Sequence, residues 1–108
     1  MNLKEFILIT HKDSDFLVRP HIFCKDGFTM SVQGSSSHYC SPRSTQKIYG
    51  TMEIGFPSKR VNSILQYRDG NGIATESVYG YVPVELIENI IKKHGGIDIE
   101  KTFENKTN

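Results

Sequence analysis

The segment from Pro83 to His94 has the strongest helical pattern in the chain and limits what the chain can fold into. At 100° per residue its apolar side chains fall on one arc and its charged side chains on the other. The apolar arc consists of Val84, Leu86, Ile87, Ile90 and Ile91. Pro83 suits the first helical position because its missing N–H would have no partner there, and Gly95 suits a left-handed helix end. We expect this helix to pack on a β-sheet.

Most of the remaining chain has strand character. Six short segments are rich in β-forming residues and bounded by turn residues: 3–10, 16–19, 21–24, 28–33, 47–54 and 75–82. The first is the most apolar, which predicts a central strand joined to the second by a hairpin at 11–15. Asp26-Gly27 is a pair favoured in tight hairpin turns and predicts another hairpin.

These patterns predict an α+β fold, in which a small antiparallel sheet is packed by a short helix and by the amphipathic helix 83–94. The short helix is expected at about 58–67, capped by Ser58. A chain of 108 residues can bury one core but hardly two, so residues 1–99 are expected to form a single domain. Residues 100–108 offer little to bury, which predicts a flexible C-terminal tail.

Charge and composition exclude several classes of function. The net charge of +1 argues against bulk binding of nucleic acid or of an anionic membrane. No apolar run approaches the roughly 20 residues of a membrane helix, and the first residues lack a secretory pattern, so a cytoplasmic location is expected. With only two cysteines, a disulfide framework is not expected. Open sheet edges make a homo-oligomer a further expectation.

The segment Gly34 to Thr45 is rich in Ser, Gly, His and Pro and predicts a long polar loop. Residues 11–60 hold seven Lys or Arg against four Asp or Glu, so this half of the chain is basic. Guanidinium groups and hydroxyls can hold a phosphate while a tyrosine stacks on a base. The candidate ligand-binding residues are Arg19, Lys25, Gln33, Ser36, His38, Tyr39 and Arg43. The loop therefore predicts a site for an anionic, nucleotide-like ligand.

Two histidines and two cysteines suggest zinc as a possible cofactor, because a tetrahedral zinc site takes these ligands. The candidates are His21, Cys24, His38 and Cys40. Their spacing does not match a standard zinc finger, and a buried Cys24 beside exposed histidines is the alternative interpretation. We keep a small zinc-binding domain as a further possibility.

Catalytic patterns are weak. A thiol nucleophile at Cys40 would need a base such as His38 and a third group to orient that base, and no third group is identifiable. The carboxylates are scattered, and the glycines around Asp69 do not match a phosphate-binding motif. An enzyme is therefore less expected than a binding protein.

In general character, a short domain rich in Lys, Ile and Asn without an enzymatic motif resembles small orphan accessory proteins of phages and prophages in low-GC Gram-positive bacteria. The resemblance implies a counter-defence role, and it transfers no functional residue. One mode is a sponge that sequesters a nucleotide immune signal without catalysis. The alternative is an inhibitor that binds a host defence protein such as a CRISPR nuclease, with Tyr39, Tyr79 and Tyr81 as anchors.

Overall fold

Four antiparallel strands form one sheet, in the order β1-β2-β3-β4. The computed structural model describes residues 1–104. The strands are β1 (Ile22–Phe23), β2 (Thr29–Gln33), β3 (Thr51–Gly55) and β4 (Val78–Pro83). The α-helices are α1 (Leu3–Ile9), α2 (Val84–Lys93) and α3 (Ile99–Glu104). Two 3-10 helical segments lie between β3 and β4, at Asn62–Tyr67 and Ala74–Glu76. Helices pack against the sheet, so the predicted α+β fold is confirmed.

Helix α2 matches the predicted amphipathic helix except at its start. Pro83 ends β4 and caps the helix from outside, because its ψ of 135° is extended and not helical. Ile87, Ile90 and Ile91 are buried as expected. Gly95 has a φ of +91°, the left-handed conformation predicted for the end of this helix.

The N-terminal segment is helical, so the prediction of a strand over 3–10 is wrong. Asn2 accepts a hydrogen bond from the backbone of Glu5, and the Glu5 side chain accepts one from the backbone of Asn2. This reciprocal capping box stabilises the first turn. Leu3, Phe6 and Ile7 are buried, at the spacing of one helical face. The apolar run that resembled a central strand is therefore the buried face of α1.

The predicted strand at 16–19 is also absent, and with it the hairpin at 11–15. The side-chain amide of Gln33 takes the place of a strand partner: its Oε1 accepts from the Arg19 N–H at 2.7 Å, and its Nε2 donates to the Arg19 carbonyl at 2.8 Å. Pro20 follows and has no N–H to donate, so a ladder could not continue there.

The hairpin at Asp26-Gly27 is confirmed. β1 pairs with β2 through Ile22 with Met30 and Phe23 with Thr29. Gly27 has a φ of +98°, which the tight turn requires.

The short helix predicted at 58–67 is a 3-10 helix over Asn62–Tyr67, with Val61 as its N-cap. Ser58 does not cap it. The Ser58 hydroxyl instead accepts a hydrogen bond from the backbone N–H of Thr29, and the Ser58 N–H donates to the Thr29 carbonyl. These bonds hold the start of the segment beside the β1–β2 hairpin.

The chain beyond Ile99 is better anchored than its composition predicts. Residues 100–104 belong to α3, and Thr102 is fully buried. The Thr102 hydroxyl accepts from the Phe23 N–H at 3.0 Å, and the Phe103 ring lies 6.2 Å from the Phe6 ring. Residues 100–104, expected in a flexible tail, therefore lie in a helix that packs on the domain. The rest of the predicted tail, 105–108, lies outside the described residues.

Both edge strands have further chain beside them. Cys24 next to β1 forms a bridge with Ile97, and Tyr79 of β4 forms a bridge with Arg68. Pairing of two copies through these edges stays a prediction. Within residues 1–104, no helix has the length and apolar character needed to cross a membrane.

Candidate functional site

Arg19, the first of the predicted ligand-binding residues, lies inside the protein. It is 1% exposed. Its Nε donates to the Thr10 hydroxyl at 2.9 Å and its Nη1 to the Gly34 carbonyl at 2.8 Å. Burial lowers the pKa of the guanidinium. Arg19 therefore holds the start of the loop in place.

The predicted ligand-binding residues Gln33, Ser36 and Lys25 do not line one cavity either. Gln33 is buried, and its amide is bonded to Arg19. Ser36 is exposed and donates to the Asp15 carbonyl at 2.7 Å. Lys25 lies in the hairpin at the opposite end of β2 from Gln33. Arg19 and Lys25, expected in one ligand site, therefore lie apart.

His38 is half-buried, and its Nδ1 lies 2.7 Å from the Ser35 hydroxyl. Burial lowers the pKa of His38, which the nearby Glu53 carboxylate partly opposes. The imidazole is thus held against its own loop by Ser35.

Two residues of the loop and one of β4 form an exposed group, which we term the tyrosine cluster: Tyr39, Arg43 and Tyr81. The Arg43 guanidinium carbon lies 5.4 Å from the centre of the Tyr39 ring, within range of a cation–π interaction. The Tyr39 and Tyr81 rings are 5.9 Å apart and tilted by 32°. The third tyrosine anchor predicted from the sequence, Tyr79, is fully buried and belongs to the core.

A β-bulge positions the tyrosine cluster. Val82 pairs with Met52 and Tyr79 with Ile54, so Gly80 and Tyr81 together oppose the single residue between them on β3. Tyr81 has a φ of +56°, which is unfavourable for a bulky residue. Its N–H donates to the Tyr39 carbonyl at 3.0 Å.

Glu53 is the residue opposite the bulge. Its carboxylate accepts from the Tyr39 N–H at 2.9 Å. The loop is therefore tied at Tyr39 both to β3 and to the bulge of β4, which holds two tyrosines in a fixed and exposed arrangement.

The candidate zinc ligands do not come together. Cys24 and Cys40 are both buried, whereas His21 is exposed. Burial raises the pKa of Cys24 to about 11. The Cys40 thiol donates to the Ser35 carbonyl at 3.3 Å. Within residues 1–104 no group of three or more His, Cys, Asp or Glu side chains is placed to hold a metal ion. The zinc interpretation therefore lacks a ligand set in this part of the chain.

Cations assemble elsewhere, in a cleft of about 510 Å³ between the end of α2 and the chain that precedes the first 3-10 segment. We term it the basic cleft. Its wall residues are Phe28, Lys59, Arg60, Val61, Asn62, Ser63, Leu86, Asn89, Ile90, Lys93 and His94. Every ionisable group among these residues is basic. The cleft thus combines positive charge, neutral hydrogen-bonding groups and an apolar floor.

Local contacts fix two sides of the basic cleft. The Arg60 Nε donates to the Asn62 side chain at 3.1 Å, which orients the guanidinium on one side. On the other side, His94 is the C-cap of α2 and its N–H donates to the Ile90 and Ile91 carbonyls.

The His94 ring is held from two directions. Its Nδ1 lies 2.6 Å from the Asp26 carboxylate, and its ring stacks on Phe28 with centroids 4.1 Å apart. Hydrogen bonds to the Asp26 carboxylate lower the pKa of Asp26; the bond from the Phe28 N–H has the larger effect and the bond to the His94 ring the smaller. Asp26 occupies Nδ1 of His94. The other ring nitrogen, Nε2, has no hydrogen-bond partner among the described residues.

Sequence reasoning missed this cleft for an identifiable reason. Lys93 and His94 lie at the end of α2, where basic side chains are favoured by the helix dipole alone, and Lys59 and Arg60 belong to the generally basic half of the chain. Only the packing of α2 against the segment before Asn62 brings Lys59, Arg60 and Lys93 to one cavity.

Comparisons of the chain with protein-family models, with curated proteins and with solved structures each found no match.

Proposed function

We propose that this protein binds and sequesters an anionic, nucleotide-like ligand, and that the ligand occupies the basic cleft. The observation that carries the proposal is the set of cations Lys59, Arg60 and Lys93 in a cavity whose wall includes no carboxylate. Lysine and arginine bind phosphate through charge-assisted hydrogen bonds, and an arginine can do so with two parallel N–H groups. An anion in this cleft would meet attraction from every charged wall residue.

The remaining wall residues support the same ligand class. Asn62, Ser63 and Asn89 provide neutral donors and acceptors for a sugar or a base edge. Phe28, Val61 and Leu86 provide an apolar surface for a base. Small-molecule sites typically combine such an apolar floor with a few placed polar groups, and a volume near 510 Å³ is within their usual range.

The resemblance to phage accessory proteins directs the choice of ligand. A nucleotide immune signal in the host cytoplasm would be the target of a sponge of this kind. Calorimetric titration with cyclic nucleotides and with ADP-ribose tests the proposal directly. Absence of binding at high micromolar concentration of every ligand would contradict it.

A matched pair of variants distinguishes the cleft from general surface charge. Lys93→Gln removes a cation of the cleft, whereas Lys92→Gln removes the same charge from the neighbouring residue, which lines a different surface together with Glu5 and Glu88. Loss of one charge-assisted hydrogen bond costs about tenfold or more in affinity. We expect that loss for Lys93→Gln only. An equal effect of the two variants would place the ligand elsewhere.

A second candidate function, inhibition of a host defence protein such as a CRISPR nuclease, is supported by the tyrosine cluster. Tyrosine and arginine are enriched among the residues that dominate protein interfaces. Strained backbone is also concentrated at functional sites, and the φ of +56° at Tyr81 holds an exposed ring in place. Tyr81→Gly removes the ring at a position where glycine fits the backbone. A host protein captured equally by the wild type and by this variant would count against the tyrosine cluster.

A further inference from the structure

A second cavity lies apart from the basic cleft. It has a volume of about 780 Å³ and runs between the end of α1, the chain at 18–21 and α3. We term it the apolar groove. Its wall residues are Ile9, Thr10, Lys12, Val18, Arg19, Pro20, His21, Phe23, Thr102 and Phe103.

Large apolar side chains are exposed along the apolar groove. Ile9 is 62% exposed and Val18 is 71% exposed. Single exposed apolar residues are normal on a protein surface, but two of them beside each other in one concave region favour a binding surface.

The charged wall residues all have one sign. Lys12, Arg19 and His21 are basic, and no Asp or Glu contributes to the wall. Arg19 is buried and bonded only to neutral acceptors, so its positive charge has no carboxylate partner. Within residues 1–104, the side chains of Lys12 and His21 have no hydrogen-bond or ion-pair partner. The groove therefore favours an occupant that carries a negative charge.

The hydroxyl side chains of the wall are already satisfied. The Thr10 hydroxyl donates to the Phe6 carbonyl at 2.7 Å and accepts from Arg19. The Thr102 hydroxyl is bonded to both the N–H and the carbonyl of Phe23. A polar group placed against these two side chains would lose hydrogen bonds to water without gaining new ones, which costs free energy. A hydrocarbon chain has no such groups to satisfy.

From the apolar wall and the basic side chains, we propose that the apolar groove binds the acyl chain of a long-chain carboxylate, with Lys12 attracting the head group and His21 able to hydrogen-bond to it. The chain would lie against Ile9, Val18 and Phe103. This site shares no wall residue with the basic cleft, so it stands or falls independently of the proposed nucleotide ligand.

Three ligands of equal chain length test the proposal: decanoate, decanol and decylammonium, each titrated calorimetrically below its aggregation concentration. Decanoate is expected to bind most tightly and decylammonium most weakly. Lys12→Gln should weaken decanoate by about tenfold, the effect of one lost charge-assisted hydrogen bond, and leave decanol unchanged. Val18→Ser should weaken all three ligands.

Ile48→Ser is the control for Val18→Ser, because Ile48 is equally exposed but lies outside the groove. Both positions are exposed enough for the variants to fold, which far-ultraviolet circular dichroism verifies. Equal binding of the three head groups would overturn the proposal and indicate an apolar docking surface for a protein or membrane. Absence of binding by decanoate, or an equal effect of the Val18 and Ile48 variants, would overturn it as well.

Discussion

The Nδ1 atom of His94 lies 2.6 Å from Oδ2 of Asp26, although 68 positions separate the two residues in the chain. This contact joins the β1–β2 hairpin to the end of α2. A second bond, from the Phe28 N–H to Oδ1 of Asp26 at 2.9 Å, fixes the other oxygen of the same carboxylate. One wall of the basic cleft is therefore positioned by an aspartate that is not itself a wall residue.

The Asp26–His94 contact predicts a pH dependence of stability. The bonds from Phe28 and His94 lower the pKa of Asp26 in the folded state. In acid, the Asp26 carboxylate therefore binds a proton more readily in the unfolded chain than in the folded protein. The stabilisation that these bonds give the folded state is complete above the ordinary aspartate pKa of about 3.9, and it is lost as the pH falls through the folded-state pKa. We expect Asp26→Asn to destabilise the protein near neutral pH and to match the wild type in acid.

Urea unfolding across the acidic range measures this difference. Asp69→Asn is the control, because the structure gives the Asp69 carboxylate no hydrogen-bond partner within residues 1–104. A difference between wild type and Asp26→Asn that persists unchanged into acid would show that the carboxylate charge is not responsible.

The backbone of Tyr81 predicts an unusual order of stabilities. Its φ of +56° costs an L-residue roughly 1–2 kcal/mol, and glycine adopts this conformation without that cost. Tyr81→Gly and Tyr81→Ala both remove the ring, but only the alanine variant keeps the strain. We expect Tyr81→Gly to be more stable than Tyr81→Ala by about 1 kcal/mol in denaturant unfolding. An alanine variant as stable as the glycine variant would mean that the bulge relaxes.

The sequence was sufficient to predict the elements whose signals are local. The Asp26-Gly27 hairpin and α2 with its end at Gly95 depend on residues that are neighbours in the chain. The prediction of a strand over 3–10 fails because its apolar residues fit a buried strand as well as a helix, and the capping pair Asn2 and Glu5 decides for a helix.

The candidate site depended on contacts that no local pattern contains. Arg19 was expected on the surface because arginine usually is, and its burial follows from acceptors at Thr10 and Gly34 that the fold places around it. The basic cleft brings Arg60, which precedes the first 3-10 segment, to the same wall as Lys93 of α2. Charge balance along the chain indicated an anion site but not its position.

Thr102 provides a test of how firmly α3 is attached. Its hydroxyl is buried and bonded to both backbone groups of Phe23. Thr102→Val keeps the shape of the side chain and leaves these groups without that partner, which is expected to cost about 1–3 kcal/mol. Thr45→Val is the matched control, because the Thr45 hydroxyl bonds to the exposed Ser14 carbonyl, which water can satisfy instead. Equal effects in thermal unfolding would argue against a structural role for α3.

The two cysteines predict chemical inertness in the folded state. Cys24 is fully buried with a pKa raised to about 11, and burial also raises the pKa of Cys40. The reactive form of a thiol is the thiolate, so alkylation by iodoacetamide at mildly alkaline pH should require unfolding. Mass spectrometry counts the labels before and after denaturation. Rapid labelling of either thiol in the native protein would reopen the question of thiol chemistry in the loop.

Arg19 gives the sharpest stability prediction, because its guanidinium is buried without a carboxylate and bonds to Thr10, Gly34 and Gln46 in three directions. Lysine keeps the charge but has no planar fork, so Arg19→Lys would bury an ammonium that cannot reach all three acceptors. We expect a loss of about 2 kcal/mol or more in the free energy of unfolding.

Two further variants separate charge from geometry. Arg43→Lys makes the same change at an exposed arginine of the tyrosine cluster and should shift stability by less than about 0.5 kcal/mol. Arg19→Met removes the charge and leaves the same acceptors unpaired. If burying the charge costs more than losing the hydrogen bonds, Arg19→Met will be more stable than Arg19→Lys. If losing the hydrogen bonds costs more, Arg19→Lys will be the more stable variant. Denaturant unfolding of the four proteins together measures the difference, and a neutral Arg19→Lys would contradict the structural role assigned to this residue.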